Sequence, residues 1–233
     1  MPSGQNKKIN PYVIVIVILV IIIAGLVYNQ FGKKIFPGSE EKAKNQASVN
    51  DTNPKQIDVK ISEGDIFVGN KEALVTIVEY YSYFCGYCKL FHDETYSKIA
   101  ENYINTGKIK YVFRAYPPYE LGLAVLCANE QNKFLEYHNS VFGNASNIKT
   151  VDDLKQVAKD IALNSEQFNQ CFDSQKYLTK AQEWYEQGDG DFTKAGVPAE
   201  ERGTPAFFVN GELIIGAQPY EKFVEVIERK LGE

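Results

Sequence analysis

The β-branched run Leu74-Val-Thr-Ile-Val-Glu-Tyr80 is followed, after residues 81–84, by Cys85-Gly-Tyr-Cys88, and helix formers take over from there. This handover constrains the fold more than any other feature of the chain. The run has the length and composition of a buried strand. Residues 86–104 carry an apolar stripe of Leu90, Phe91, Ile99 and Tyr103, which predicts a helix. Lys108 to Arg114 reads as a second strand, closed by Pro117-Pro118. Strand, helix and strand at this spacing make a βαβ unit.

The cysteine pair therefore sits where a strand delivers a helix N-terminus. The first sulfur, Cys85, faces unpaired N–H groups and the positive end of the helix dipole, and both favour thiolate over thiol. Cys88, one turn further in, is placed to attack a mixed disulfide formed at Cys85. Two other meanings stay open at this level. Half of a zinc site would need further ligands from Cys127, Cys171, His92 and His138, none of which forms a second close pair. A purely structural bond across so short a loop would remove little entropy from the unfolded chain.

Residues 119–190 change character. Leu121, Ala124, Val125 and Ala128 keep helical spacing, as do Leu123, Leu126 and Cys127, so this helix is apolar on more than one side. Phe134, Tyr137, His138, Val141 and Phe142 form a cleaner stripe. Thr150 with Asp153 predicts a capped helix start before Leu154, Val157 and Ile161. A helix through Phe168, Cys171 and Phe172 follows, and then one through Tyr177, Ala181 and Trp184 that the Gly188-Asp-Gly190 cluster is expected to end. Strand signals return at Ala206–Val209 and Glu212–Ile215, joined by Asn210-Gly211, whose two positions favour positive φ and hence a hairpin. Phe223, Val224, Ile227 and Leu231 mark a closing helix.

The N-terminus is a different material. Val13 to Val27 contains only Val, Ile and Leu apart from Ala24 and Gly25, and no charge occurs from Ile9 to Gly32. That stretch is long enough to span a bilayer, with Tyr12 and Tyr28 at the interfacial positions. It lacks a small-x-small cleavage site, which favours an uncleaved anchor over a signal peptide. Residues 36–56 are polar, with Pro37 and Pro54, and read as a tether. The net charge of −5 hides a split. Four of the 25 basic residues lie in the first 34 positions, which hold no acid; the other 21 face 30 acids, so the body carries −9. An acidic body argues against nucleic acid as a partner.

Three ordered motifs resemble one family. Phe84-Cys-Gly-Tyr-Cys-Lys-Leu-Phe-His92, Asn132-Lys-Phe-Leu-Glu-Tyr-His138 and Gly203-Thr-Pro-Ala-Phe-Phe-Val-Asn-Gly211 are similar to the DsbA-like branch of thioredoxin-fold thiol–disulfide oxidoreductases. The likeness covers roughly residues 57–233. It implies an α/β, thioredoxin-like fold with an inserted helical domain, here preceded by one N-terminal transmembrane helix. The expected organisation is a short cytoplasmic N-terminus at 1–11, an anchor at 12–28 and a tether at 29–56. The first part of the thioredoxin-like domain follows at 57–118, the helical insertion at 119–190 and the second part at 191–233.

The resemblance also implies roles. Cys85 would be the exposed nucleophile and Cys88 the resolving thiol, with Gly86 and Tyr87 on the substrate rim. Thr204-Pro205 would form a cis-proline loop facing the disulfide and pairing with an extended substrate. Glu79, on the strand beneath the site, would relay the proton of the buried cysteine, and an acid on an apolar strand is expected to have a raised pKa. A strand-end carboxylate reaching water is the other reading of Glu79. Cys127 and Cys171, each among apolar neighbours, are either two separate thiols or a second disulfide of the kind some DsbA-like proteins carry. His92 lies about 10 Å along the helix from Cys85, too far to activate it, and is expected on the helix surface. His138 is expected as a hydrogen-bonded core residue.

No cofactor or metal is expected. The implied activity is disulfide formation in secreted or surface proteins, with a quinone-linked membrane partner as reoxidant and the catalytic domain on the extracytoplasmic side of a single-pass anchor. Gly-Tyr between the cysteines departs from the Pro-His of the strongly oxidising members and resembles the dipeptide of the isomerases. An isomerase or reductase is therefore the alternative, and a membrane-anchored metal-binding module a third.

Overall fold

The structure, a computed structural model, describes residues 56–233. The expected N-terminus at 1–11, the anchor at 12–28 and nearly all of the tether at 29–56 lie outside the described residues. Among the described residues no helix is long and apolar enough to cross a membrane.

Five strands form one mixed sheet in the order β1-β3-β2-β4-β5. They are β1 (Ile66–Gly69), β2 (Val75–Tyr81), β3 (Ile109–Ala115), β4 (Ala206–Val209) and β5 (Glu212–Ile215). Only β2 and β3 run parallel, with Glu79 opposite Phe113 and Tyr80 opposite Arg114. The connection between them is α1, residues 86–104, in which α-helical turns at Gly86–Phe91 and Ser97–Ile99 alternate with π-helical turns at His92–Tyr96 and Ala100–Ile104. β4 pairs antiparallel with β2, and β5 with β4. The β4–β5 turn is the expected one, with positive φ at Asn210 and Gly211. Gly211 has a second reason to lack a side chain, since a Cβ there would lie 1.8 Å from the Ile57 carbonyl oxygen. β1 carries no sequence signal strong enough to have announced it, being four residues long and only partly buried.

Alternation gives the sheet two different faces. Ile77, Tyr81, Tyr111, Phe113, Phe207 and Val209 belong to the larger core, with Phe91 and Ile99 of α1 and Phe223 and Ile227 of the closing helix α7 (Tyr220–Gly232). Val78, Tyr80, Val112 and Phe208 point the other way and meet Phe192 and Val197.

Between β3 and β4 lie five helices: α2 (Tyr119–Asn129), α3 (Phe134–Asn144), α4 (Val151–Asp160), α5 (Ser165–Asp173) and α6 (Leu178–Ala195). Leu121 to Ala128 of α2 are buried without interruption, as its two-sided apolar pattern implies. Thr150 and Asp153 make the expected capping box at the start of α4.

The glycine cluster does not end α6. The helix continues to Ala195 and stops at Gly196, whose φ of 82° is left-handed. Gly188 serves close approach instead, because a Cβ there would meet ring atoms of Tyr80 and Tyr116 at 3.0 Å. The extra turns carry Asp191 and Phe192 onto the second face of the sheet. The lead-in to β4 then forms a short 3-10 turn, Ala199–Glu201, and Arg202 ties it back to α6 through Asp189 and Thr193.

That second face also holds a buried charge cluster that the sequence pattern does not announce. Arg114, fully buried, donates to Asp65 at 2.7 Å, to the Lys60 carbonyl at 2.5 Å and to the Tyr80 hydroxyl at 2.7 Å. Tyr80 passes the contact on to Asp191, and the Trp184 indole donates to the second oxygen of Asp65 at 2.7 Å. Burial works to raise the Asp65 pKa, but Arg114, the Ser62 N–H and Trp184 outweigh it and hold the carboxyl below its ordinary value.

Candidate active site

Cys85 is the N-cap of α1. Its backbone is extended, and its sulfur accepts from the Cys88 N–H at 3.4 Å. The cap role explains why a cysteine serves here, for the sulfur occupies the position that a Ser or Asp oxygen takes at other helix starts. The chain holds the pair as two thiols, Cys85 partly exposed and Cys88 fully buried. Burial works to raise the Cys85 pKa. The Thr204 side chain, the N–H groups of Cys88 and Tyr87 and the Cys88 thiol outweigh it, so Cys85 lies below its ordinary value. Cys88 goes the other way. Burial pushes it far up, aided by the nearby charges of Glu79 and Cys85, although the Ser82 N–H reaches its sulfur at 3.4 Å. One turn of helix thus separates a reactive sulfur from one that keeps its proton.

Thr204-Pro205 faces the pair. The Thr204–Pro205 peptide is cis, and the Thr204 carbonyl accepts from the Cys85 thiol at 3.1 Å. Pro205 is buried at the head of β4, and its carbonyl is taken by the Gly216 N–H at 2.8 Å. Gly86 and Tyr87 are exposed beside Cys85, with Phe84 and Leu90 also uncovered. A cavity of about 400 Å³ opens between the Tyr83–Gly86 segment and the loop after α3, with Lys89 and Lys149 on its rim.

Glu79 is buried. It is 3% exposed, and the only hydrogen bond to its carboxylate among the described residues is from the Tyr111 hydroxyl at 2.9 Å. Burial raises its pKa to about 8, against the pull of Tyr111 in the opposite direction. Its burial argues against the reading as a strand-end carboxylate in open water.

The two histidines part company. His138 is a buried core residue, as expected, with Nδ1 2.8 Å from the Tyr83 hydroxyl, and burial drives its pKa well down, so it stays neutral. His92 is not on an open surface. Its ring lies beside Tyr96 and Phe142, and Nε2 meets Asn139 Oδ1 at 3.0 Å, because α3 packs over that face of α1. Cys127 and Cys171 are bonded to each other, with their Cα atoms 5.8 Å apart, and join α2 to α5. Among the described residues there is no group of three or more His, Cys, Asp or Glu placed to hold a metal ion.

Sequence reasoning passed over Tyr83, Ser82 and Tyr111. Only Tyr111 left a usable signal: it shares the alternation phase of Phe113, which stands opposite Glu79.

A strand-borne helix start with one exposed and one buried thiol, a cis-proline loop across from them and an acid beneath is a dithiol centre of the thioredoxin type. The chain belongs to the thioredoxin family, whose model, described as Thioredoxin, matches residues 61–229. With its helical insertion the fold is DsbA-like. It is similar to the crystal structure of alpha-DsbA1 from Wolbachia pipientis, at 26% identity and a TM-score of 0.63, over 74% of this chain and 93% of that one. BdbD from Bacillus subtilis, in its oxidised form, shares the fold with a TM-score of 0.64, over 79% of this chain and 100% of that one, at 22% identity.

Among curated sequences, a Rickettsia prowazekii protein named as a protein-disulfide oxidoreductase is 28% identical over 166 residues, 68% of this chain and 58% of the relative. Disulfide bond formation protein D of Bacillus subtilis is 25% identical over 182 residues, 72% of this chain and 78% of that protein. The chain thus spans well under two thirds of the rickettsial relative's length.

Proposed function

We propose that this protein is a thiol–disulfide oxidoreductase of the DsbA type that introduces disulfides into secreted or surface proteins. The observation that carries the reading is the split between Cys85, partly exposed and favoured as thiolate, and Cys88, buried and held as thiol. In the oxidised protein, a substrate thiolate attacks Cys85 Sγ and the Cys85–Cys88 bond breaks. Cys88 leaves with the electron pair and takes a proton from Glu79. A second substrate thiolate then attacks the substrate sulfur of the mixed disulfide, and Cys85 leaves as thiolate. A low-pKa leaving group favours that last step, which is the oxidising direction. Thr204 offers its carbonyl to the backbone of an extended substrate, with Gly86 and Tyr87 beside the reacting sulfur.

The product is a dithiol enzyme that must lose two electrons, and a quinone-linked membrane partner is the proposed oxidant. The uncharged stretch 9–32 supports a single-pass anchor that keeps the domain near such a partner on the extracytoplasmic side. The Cys127–Cys171 bond supports the same compartment, because structural disulfides persist in oxidising surroundings. One observation favours a second reading, isomerase or reductase: Gly86-Tyr87 places no histidine between the cysteines. The reduction potential separates them, a strong oxidant lying near about −120 mV and a thioredoxin-like reductant near about −270 mV.

Replacing Cys88→Ala is expected to trap substrates on Cys85 as mixed disulfides, visible as reductant-sensitive adducts with exported proteins. No adducts, or adducts that persist in Cys85→Ser, contradict the proposal.

A further inference from the structure

The carboxyl of Glu79 stands in unusual company. Its charge would be felt by Tyr81 of its own strand, by Tyr83 of the loop beyond, by Cys88 and Tyr96 of α1 and by Tyr111 of β3, and each of these is held more firmly in its protonated form. No cation appears among these groups. Phe113 and Phe207, its register partners on the two flanking strands, close the sides with hydrocarbon. Tyr81 and Tyr83 turn their hydroxyls towards each other, 3.3 Å apart, and Tyr83 goes on to His138. Tyr96 lies edge-on to Tyr111 and makes no hydrogen bond to the acid. Among the described residues Tyr111 alone donates to the Glu79 carboxyl, at 2.9 Å, and it does so to Oε2.

A carboxyl that must both take and return a proton needs one oxygen free and a fixed rotamer. A single donor on one oxygen supplies both conditions. We propose that Tyr111 is a positioning residue for proton transfer at Cys88: its phenol holds Glu79 Oε2 and leaves Oε1 to exchange the thiol proton. The inference rests on the reading of Glu79 as the proton carrier.

In the resolving direction the step balances as follows. Glu79 carboxylate takes the proton from the Cys88 thiol while the sulfur attacks Cys85 Sγ of a mixed disulfide. The Cys85–Cys88 bond forms, the bond to the leaving thiolate breaks with its electron pair, and Glu79 later returns the proton to water. The donor also sets where the carboxyl titrates, since a hydrogen bond to the charged form favours that form. Removing it must make Glu79 hold its proton to higher pH.

The test uses the full-length protein with thionitrobenzoate as leaving group on Cys85, following its release across pH. Release by the wild type is expected to rise along a limb set by Glu79. Tyr111→Phe, which keeps the ring, should move the midpoint of that limb up by about one pH unit and slow release about tenfold below it. Tyr96→Phe should leave the profile where it is. Fluorotyrosine at position 111, a stronger donor of the same shape, should move the midpoint down. A Tyr111→Phe profile that coincides with the wild type, or a fluorotyrosine midpoint that moves in the same direction as Phe, overturns the role of Tyr111. Glu79→Gln should abolish the limb; if it does not, the proton-carrier reading itself fails, which is a different result.

Discussion

Glu79 and Asp65 are both carboxylates withdrawn from water at one sheet, and their surroundings differ in every respect that matters for charge. Asp65 is met by the Arg114 guanidinium, the Trp184 indole and the Ser62 N–H, and it stays ionised. Glu79 takes a hydrogen bond from one phenol and has no cation among its neighbours, and burial lifts its pKa to about 8. The first arrangement fixes a charge so that helix α6, strand β3 and the segment before β1 stay joined. The second puts the carboxyl's titration near neutral pH, which the proposed proton transfer at Cys88 needs. The same buried chemical group is fixed as an anion on one face and left able to hold a proton on the other because two cations, Arg114 at 2.7 Å and Lys180 at 3.5 Å, stand beside Asp65 and none stands among the neighbours of Glu79.

The largest expected effect comes from removing the nearer cation, Arg114. Arg114→Met leaves Asp65 buried with only Lys180, at 3.5 Å, as a counter-charge, and loss of one member of a buried pair costs about 3–5 kcal/mol. Chemical denaturation should show that loss, while the pH profile of thiol exchange in the folded fraction stays that of the wild type.

The next effect has the opposite sign. Glu79 holds its proton in the folded state to higher pH than in the unfolded chain, so the stability it allows is complete below the unfolded pKa and lost as pH rises towards about 8. Asp65 behaves inversely, its contribution being lost only as pH falls through its lowered value. Each pH unit between the folded and unfolded pKa of a group is worth about 1.4 kcal/mol. Glu79→Gln should therefore stabilise the protein at pH 8 by on the order of 4 kcal/mol and leave it unchanged at pH 4. Denaturation at the two pH values checks this. A variant that is less stable at both would mean that the acid is structural after all.

Gly188→Ala, expected to cost about 1 kcal/mol through overpacking against Tyr80 and Tyr116, probes the Arg114 face most gently. Its thermal midpoint should fall slightly while its thiol exchange does not change.

The difference between these faces also explains what could be read in the chain. The Val75–Tyr81 strand, the helix after Cys85 and the Asn210-Gly211 hairpin follow from local pattern, because each side chain there obeys the period of its element. The cysteine pair follows from its place at a helix start. The Arg114 cluster could not be read, since Asp65, Arg114 and Asp191 lie far apart in sequence and meet only through tertiary packing. Gly188 misleads for the same reason: its role is set by Tyr80 and Tyr116, which are distant in the chain. Tyr111 is intermediate. Its strand and phase are legible, but its bond to Glu79 depends on the parallel register of β2 and β3, which no local pattern states.

The central claim is that one helical turn holds two thiols of unlike acidity, and it is tested most directly by titrating both sulfurs in the reduced protein. Alkylation rates of Cys85 and Cys88, followed separately by mass across pH, report each thiolate. The account predicts that Cys85 reacts with a midpoint below the free-thiol value of about 8.5, while Cys88 stays unreactive well above it. Two thiols that titrate together near that value, or Cys88 reacting first, would contradict it.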